Sequence, residues 1–297
     1  DSADVMAVIA AARDRGVDLA IRGGGHSVPG FGTVDDGLVI DLSPMKGVRV
    51  DPVKKVAWVG GGATLGDVDH ATYPFGLAAP GGIVSTTGMA GLTLGGGIGY
   101  LTRSVGLSID NLLSADVVLA DGRQVTASDY QNEDLFWALR GGGGNFGVVT
   151  SFEFQLHEVG DVVGGPLFYD FDDATAVLEC YRSFIDEAPE QLGCFFGWQI
   201  APPLPFIPED RVGDLFCVLV TCWNGPHDEA ERVLRPLRDV AEVKAELVEV
   251  MPFPALQRPS TISSRRACRT TGKRTSPPSS PTRRSLLTSN TARGHRT

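Results

Sequence analysis

The sequence predicts an α+β protein with two folded modules, residues 1–159 and 160–257, and a disordered basic tail over residues 258–297. Three observations predict it. Helical and strand periodicities alternate along the chain, with a hairpin inside the first module. Long, uncharged, glycine-rich loops recur through the first module and stop at Gly147. Composition then breaks: from Arg258 onward there are ten Lys or Arg and no Asp or Glu, which leaves 16 basic and 36 acidic residues, a net charge of −20, ahead of it. With 297 residues and 42% hydrophobic content, the chain is large enough to fill two cores.

The elements follow in order. Asp1 or Ser2 caps a helix that puts Val5, Ile9 and Ala12 on one face. Strands are expected at residues 17–21, 38–42, 48–50 and 55–59. Residues 64–71 read as a helix capped by Thr64, with Asp67 in its first turn and His70 on its surface. Residues 115–120 and 123–126 flank Asp121-Gly122 as a hairpin with a primed turn. A short helix over 132–139 and a long alternating strand over 147–157 complete the first module. In the second, a helix over 172–188 carries Leu178, Tyr181 and Phe184 and stops before Pro189. Strands near 194–200 and 214–223, a helix over 227–240 and a strand near 243–250 follow. Phe195, Trp198 and Trp223 are candidates to line a binding face, although aromatic residues at strand spacing are more often core.

The glycine loops carry the chemistry. Arg22-Gly23-Gly24-Gly25-His26-Ser27 has three consecutive residues without Cβ, so its amides can fold inward onto an anion beside an imidazole. Residues 80–100, with Gly82, Ser85, Thr86, Thr87, Gly88, Gly91, Gly95 and Gly96, mix glycine with small hydroxyl and aliphatic side chains. Such a segment can lie flat along a long ligand; as a bare connection it would be longer than compact domains tolerate. A third cluster, Arg140-Gly141-Gly142-Gly143-Gly144-Asn145-Phe146-Gly147, precedes a strand that begins with Val148 and Val149.

Several classes drop out. The spacing from Gly95 to Gly99 is wrong for a dinucleotide fingerprint, and the one Gly-Lys pair, Gly272-Lys273, is followed by Arg274 where a phosphate loop needs Ser or Thr. The five cysteines form no C-x-x-C pair, so no metal site is expected, and Cys180, Cys194, Cys217 and Cys222 read as small core residues. No apolar run approaches the roughly 20 residues of a membrane span, and Asp1-Ser2-Ala3-Asp4 lacks the order of a signal peptide. Source compartment stays open.

Together, residues 22–27, 80–100, Asp110-Asn111, 135–141 and 145–150 resemble FAD-linked oxidases of the vanillyl-alcohol oxidase and p-cresol methylhydroxylase superfamily. Within it, the berberine bridge enzyme-like and 6-hydroxynicotine oxidase-like branch is most similar, over about residues 4–159 and in family order. The resemblance implies a two-subdomain FAD-binding domain of the p-cresol methylhydroxylase type, then an incomplete α+β substrate domain. It implies that Arg22, Gly23, Gly24, Gly25 and Ser27 hold the FAD pyrophosphate, and that His26 is bonded to the 8α-methyl of the flavin. Some members add a cysteinyl bond to flavin C6; Val84 stands at that place, so no cysteinyl bond is expected. Ser85, Thr86, Thr87, Gly88 and Gly91 fall on the ribityl chain and ring, Gly147, Val148 and Val149 on the adenine end, and Gly82, Gly95 and Gly96 also count as cofactor-binding.

The implied reaction is hydride transfer from a carbon of an alcohol, sugar or amine-type small molecule to flavin N5, with O2 as electron acceptor. Relative to the family pattern the chain reads as clipped at both ends, and no catalytic base can be named. Two alternatives remain: a non-catalytic flavin-binding remnant, and a nucleic-acid-associated protein acting through the basic tail. The scarcity of aromatic residues among the tail's arginines counts against the latter. The tail itself reads either as a basic arm or, preferably, as an out-of-frame translation of a GC-rich gene.

Overall fold

The computed structural model describes residues 1–258; from residue 259 onward, the expected tail and the question of its reading frame lie outside the described residues. Helix α1 (Ser2–Arg15) is capped by Asp1, whose carboxylate accepts from the Ala3 and Asp4 amides, so Asp1 and not Ser2 is the cap. Gly16 closes it in the left-handed region at φ 63°. Strands β1 (Leu19–Arg22) and β2 (Leu38–Asp41) pair in parallel. Val5 and Ile9 pack with Ile40, Leu42, Val118 and Val148 beneath them.

Next come β3 (Val48–Asp51), β4 (Val56–Gly60), α2 (Leu65–Thr72), β5 (Leu77–Ala78), α3 (Met89–Leu94) and α4 (Thr102–Val105). Strands β6 (Leu112–Val118) and β7 (Gln124–Ser128), helix α5 (Glu133–Leu139), and strands β8 (Val148–Gln155) and β9 (His157–Glu158) complete this part. An antiparallel sheet runs β3-β4-β8-β6-β7. Its alternate residues Ala57, Val59, Ala115, Val117, Phe152 and Phe154 face a core closed by Val68, Met89 and Phe136 from the helices. The strand expected over 147–157 ends at Gln155, and the chain turns into β9 to pair with β5. The β6–β7 hairpin also departs from expectation. Its loop has three residues, with the Gly122 amide donating to the Leu119 carbonyl at 2.9 Å. Gly122 has φ 89° and Asp121 has no positive φ, so this is a turn with a glycine bulge instead of a primed pair.

The second sheet is built from β10 (Asp161–Asp170), β11 (Leu192–Ile200), β12 (Leu215–Trp223), β13 (Ala245–Glu246) and β14 (Glu249–Pro252). Helices α6 (Ala174–Glu187), α7 (Ala230–Asp239) and α8 (Phe253–Leu256) accompany it. Its order is β11-β12-β10-β13, with β14 also pairing β10. Period-two alternation on β12 sends Phe216, Val218, Val220 and Cys222 toward Tyr100 and Leu101. It sends Cys217, Leu219 and Trp223 toward Val177, Leu234 and Leu237 of the two long helices. The buried stripe of α6 is Ala174 and Val177, with Tyr181 and Phe184 partly buried, while Leu178 is exposed.

Strand β10 is not among the elements expected from the sequence; it carries Gly164-Gly165-Pro166, residue types depleted in strands. In the fold that tripeptide lies where β10 changes partner: β14 pairs residues 161–164 and β13 pairs residues 167–168. Gly165, at φ 138°, has no room for a Cβ against the Leu247 carbonyl. The same junction splits the strand expected over 243–250 in two.

Arg103 of α4 ties the two parts together. Its guanidinium donates to the carbonyls of Ile185, Ala188, Pro189 and Leu192, each at 2.8 Å, which satisfies the C-terminal end of α6 and the connection to β11. Gly193 of β11 packs so closely on the Tyr100 carbonyl that any side chain there would overlap it.

Candidate cofactor site

Residues 22–27 leave the end of β1 as an exposed loop, with Gly25 in the left-handed region at φ 73°. Gly24 lies against Gly88, and a Cβ on either would overlap the backbone nitrogen of the other. Two of the three predicted glycine segments therefore touch backbone to backbone, 64 positions apart. Gly88 has an ordinary φ of −69°, so glycine is required there by proximity and not by conformation.

A fourth glycine run, Gly60-Gly61-Gly62 at the end of β4, packs beneath these loops against neighbouring backbone, although the sequence does not single it out. A Cβ on Gly60, Gly61 or Gly62 would overlap the carbonyls of Met45, Val149 and Leu42 respectively. Gly61 thereby links residues 22–27 to residues 147–149, since its carbonyl oxygen lies 3.8 Å from a Cβ placed on Gly23. Three glycines in a row were the available signal.

His26 is exposed and bridges the loops. Its Nε2 lies 3.0 Å from the Thr86 hydroxyl, and its Nδ1 lies 3.5 Å from the Thr87 hydroxyl. The Ser27 hydroxyl accepts from the Phe31 amide at 3.1 Å, closing the loop behind the imidazole. Arg22 pairs weakly with Asp41 at 3.8 Å, both exposed. Residues 85–87 lie across the start of α2, whose first free amides they occupy: Leu65 donates to the Thr87 carbonyl at 2.9 Å and Gly66 to the Ser85 carbonyl at 2.8 Å. A capping box between Thr64 and Asp67 fixes that helix start.

The remaining predicted residues lie in differing surroundings. Gly82 packs on Leu65 and Leu92. Gly91, on α3, is exposed, and a Cβ placed on it would meet no protein atom, so the polypeptide itself makes no demand for glycine there. Gly95 and Gly96 lie past the far end of α3, with Gly96 at φ 116°. Gly147, at φ 147°, is wedged against Val117 and the Val118 carbonyl. The side chains of Val148 and Val149 are buried in two different cores, so these residues offer only backbone to a ligand. His70 lies on the exposed side of α2. Trp198 and Trp223 fall on the helix-covered side of the second sheet, and Phe195 alone meets Tyr100, edge to face at 5.4 Å. Cys194, Cys217 and Cys222 are buried, and burial pushes the Cys194 thiol up to about 12. Among the described residues no group of three His, Cys, Asp or Glu is placed to hold a metal ion. Nor is any helix there long and apolar enough to cross a membrane.

A loop of three consecutive glycines beside an exposed imidazole fits a phosphate-bearing cofactor with a reactive ring. Residues 1–128 match the FAD binding domain family. The chain is 34% identical over 257 residues to an FAD-linked oxidoreductase of Dictyostelium discoideum, covering 86% of this chain and 53% of that one. It is 43% identical over 156 residues to (R)-6-hydroxynicotine oxidase of Paenarthrobacter nicotinovorans, covering 52% of this chain and 34% of that one. Its fold is similar to the crystal structure of 6-hydroxy-D-nicotine oxidase from Arthrobacter nicotinovorans, with a TM-score of 0.77 and 31% identity over 86% of this chain and 55% of that one. Glucooligosaccharide oxidase from Acremonium strictum gives a TM-score of 0.72 with 28% identity, over 86% of this chain and 52% of that one. The chain thus spans about half the length of these full-length relatives.

Fold and site define an FAD-binding domain with the fold of the p-cresol methylhydroxylase type. The chain belongs to the FAD-linked oxidase superfamily, alongside 6-hydroxynicotine oxidase-like and berberine bridge enzyme-like proteins.

Proposed function

We propose that this chain is the flavin-binding part of an FAD-dependent oxidase that acts on an alcohol, sugar or amine-type small molecule and carries FAD bonded covalently to His26. The observation behind this reading is His26 itself: an exposed imidazole beside three consecutive glycines, held by hydroxyls of the facing loop. The relative from Acremonium strictum is described as carrying a 6-S-cysteinyl, 8α-N1-histidyl FAD. In this chain Val84 supplies no thiol and all described cysteines lie at or beyond Cys180, so a single histidyl bond is the form proposed.

Bound flavin would supply the redox step, taking a hydride at N5 and passing electrons to O2. The chain's own residues do the holding. Amides of Gly23, Gly24 and Gly25 would hold the pyrophosphate, Ser85, Thr86 and Thr87 would offer hydroxyls and backbone along the ring, and Val148 and Val149 would offer backbone at the adenine end. Acid precipitation tests the attachment: flavin should stay with wild-type polypeptide and be released from His26→Ala. Peroxide release with a panel of alcohols, sugars and cyclic amines then tests the oxidase reading. A coloured protein that turns over none of them is a flavin carrier.

A further inference from the structure

We infer that Thr86 is a positioning residue for flavin attachment, its hydroxyl holding Nε2 of His26 so that Nδ1 presents its lone pair to the flavin. This rests on the proposed attachment through His26.

The two ring nitrogens are not held alike. Nε2 is at 3.0 Å from Thr86, well inside hydrogen-bond range, whereas Nδ1 is at 3.5 Å from Thr87, at its outer limit. A neutral imidazole carries one N–H and one lone pair, and a hydroxyl can meet either; a bond at Nδ1 needs the lone pair there, and the tautomer that supplies it donates Nε2–H to the Thr86 oxygen. With the Thr86 oxygen accepting from Nε2–H, the lone pair is on Nδ1.

The hydroxyl is also well placed to act as a fixed point. Thr86 is exposed, so its hydroxyl has no packing task, yet its neighbours are anchored on both sides. Ser85 donates to the Gln257 carbonyl at 2.9 Å and accepts from Gly66, and Thr87 donates to the Val84 carbonyl at 3.0 Å and accepts from Leu65. On the other loop, the contact between Gly24 and Gly88 sets how far His26 can retreat. Both partners of the bond are therefore held before any ligand arrives.

In the attachment step, the flavin 8α carbon loses a proton to solvent and Nδ1 bonds to that carbon. The Nε2 proton leaves through the Thr86 hydroxyl to water. Two electrons remain in the flavin ring until dioxygen removes them as peroxide.

The test follows covalent and reversible binding separately. Protein produced without flavin is given FAD in air. Reversible binding is read from fluorescence quenching, and covalent attachment from flavin retained after acid precipitation over time. At saturating FAD, Thr86→Val should attach the flavin roughly tenfold more slowly, the rate equivalent of one lost hydrogen bond. Thr86→Ser, which keeps the hydroxyl, should restore the rate. A wild-type attachment rate in Thr86→Val at saturating FAD, or failure of Thr86→Ser to restore the rate, would overturn the inference. If His26→Ala retains covalent flavin, or wild type binds FAD and never attaches it, the attachment reading itself fails. Loss in His26→Ala with an unchanged rate in Thr86→Val removes only the role of Thr86.

Discussion

Gly91 and Gly16 separate two reasons for keeping a glycine. Gly16 is the left-handed cap of α1 at φ 63°, with open space around it, so its demand is conformational. Gly91 has helical backbone and equally open space, so its demand comes from the expected cofactor alone. Gly16→Val should lower stability by about 1–2 kcal/mol and leave FAD binding intact. Gly91→Val should leave the melting temperature of the flavin-free protein nearly unchanged and sharply reduce FAD occupancy. Thermal melts and flavin absorbance of both variants read this out, and equal occupancy would show the loop to be a spacer. Asp69 gives a third residue-scale case. It is buried on α2, its Oδ2 has no partner, and burial raises its carboxyl to about 7. The folded state therefore holds this proton more tightly than the unfolded chain. The corresponding stability is present below about pH 4 and is lost as pH rises through about 7. Asp69→Asn should leave stability at pH 4 nearly unchanged and raise it at pH 8 by something on the order of 4 kcal/mol, measured by urea unfolding at both pH values.

Strand β10 and the short helix α4 carry connections larger than their length suggests. Strand β10 is the hub of the second sheet, and its Gly165-Pro166 step lets two different strands share one edge. A central strand tolerates proline only where ladder pairing is already interrupted, which is the case here. Helix α4 has four residues and no side-chain cap, yet it delivers Arg103 to four carbonyls at the end of α6. Arg103→Ala would leave those acceptors without their donor and should destabilise the protein by about 2–3 kcal/mol in urea unfolding. Arg103→Lys should recover less than half of that, because an ammonium cannot reach four acceptors with a planar fork. Full recovery by lysine would mean that charge alone matters.

For the molecule as a whole, the parts legible in the sequence were those whose cause is local. The cap at Asp1, the capping box of Thr64 and Asp67, and the alternation on β8 and β12 are written within a few residues of one another. The candidate site stands out in the sequence because consecutive glycines have few structural uses, and its loops 22–27 and 85–88 meet at Gly24 and Gly88. What stayed hidden depends on distant partners. Gly60-Gly61-Gly62 matters through Leu42, Met45 and Val149; β10 holds its Gly-Gly-Pro step only because two different strands meet there; and Arg103 finds acceptors 82 to 89 positions away. Nothing in the local pattern of Thr102-Arg103-Ser104 marks that arginine out. Its choice of partner has a consequence for solution behaviour. Carbonyl oxygens carry no titratable proton, and their dipoles act only at short range, so neither acid nor added salt removes what Arg103 holds. An arginine paired with a carboxylate would let go as that carboxylate is protonated, whereas this junction has no such release, and its strength is set by backbone geometry from acidic to alkaline conditions.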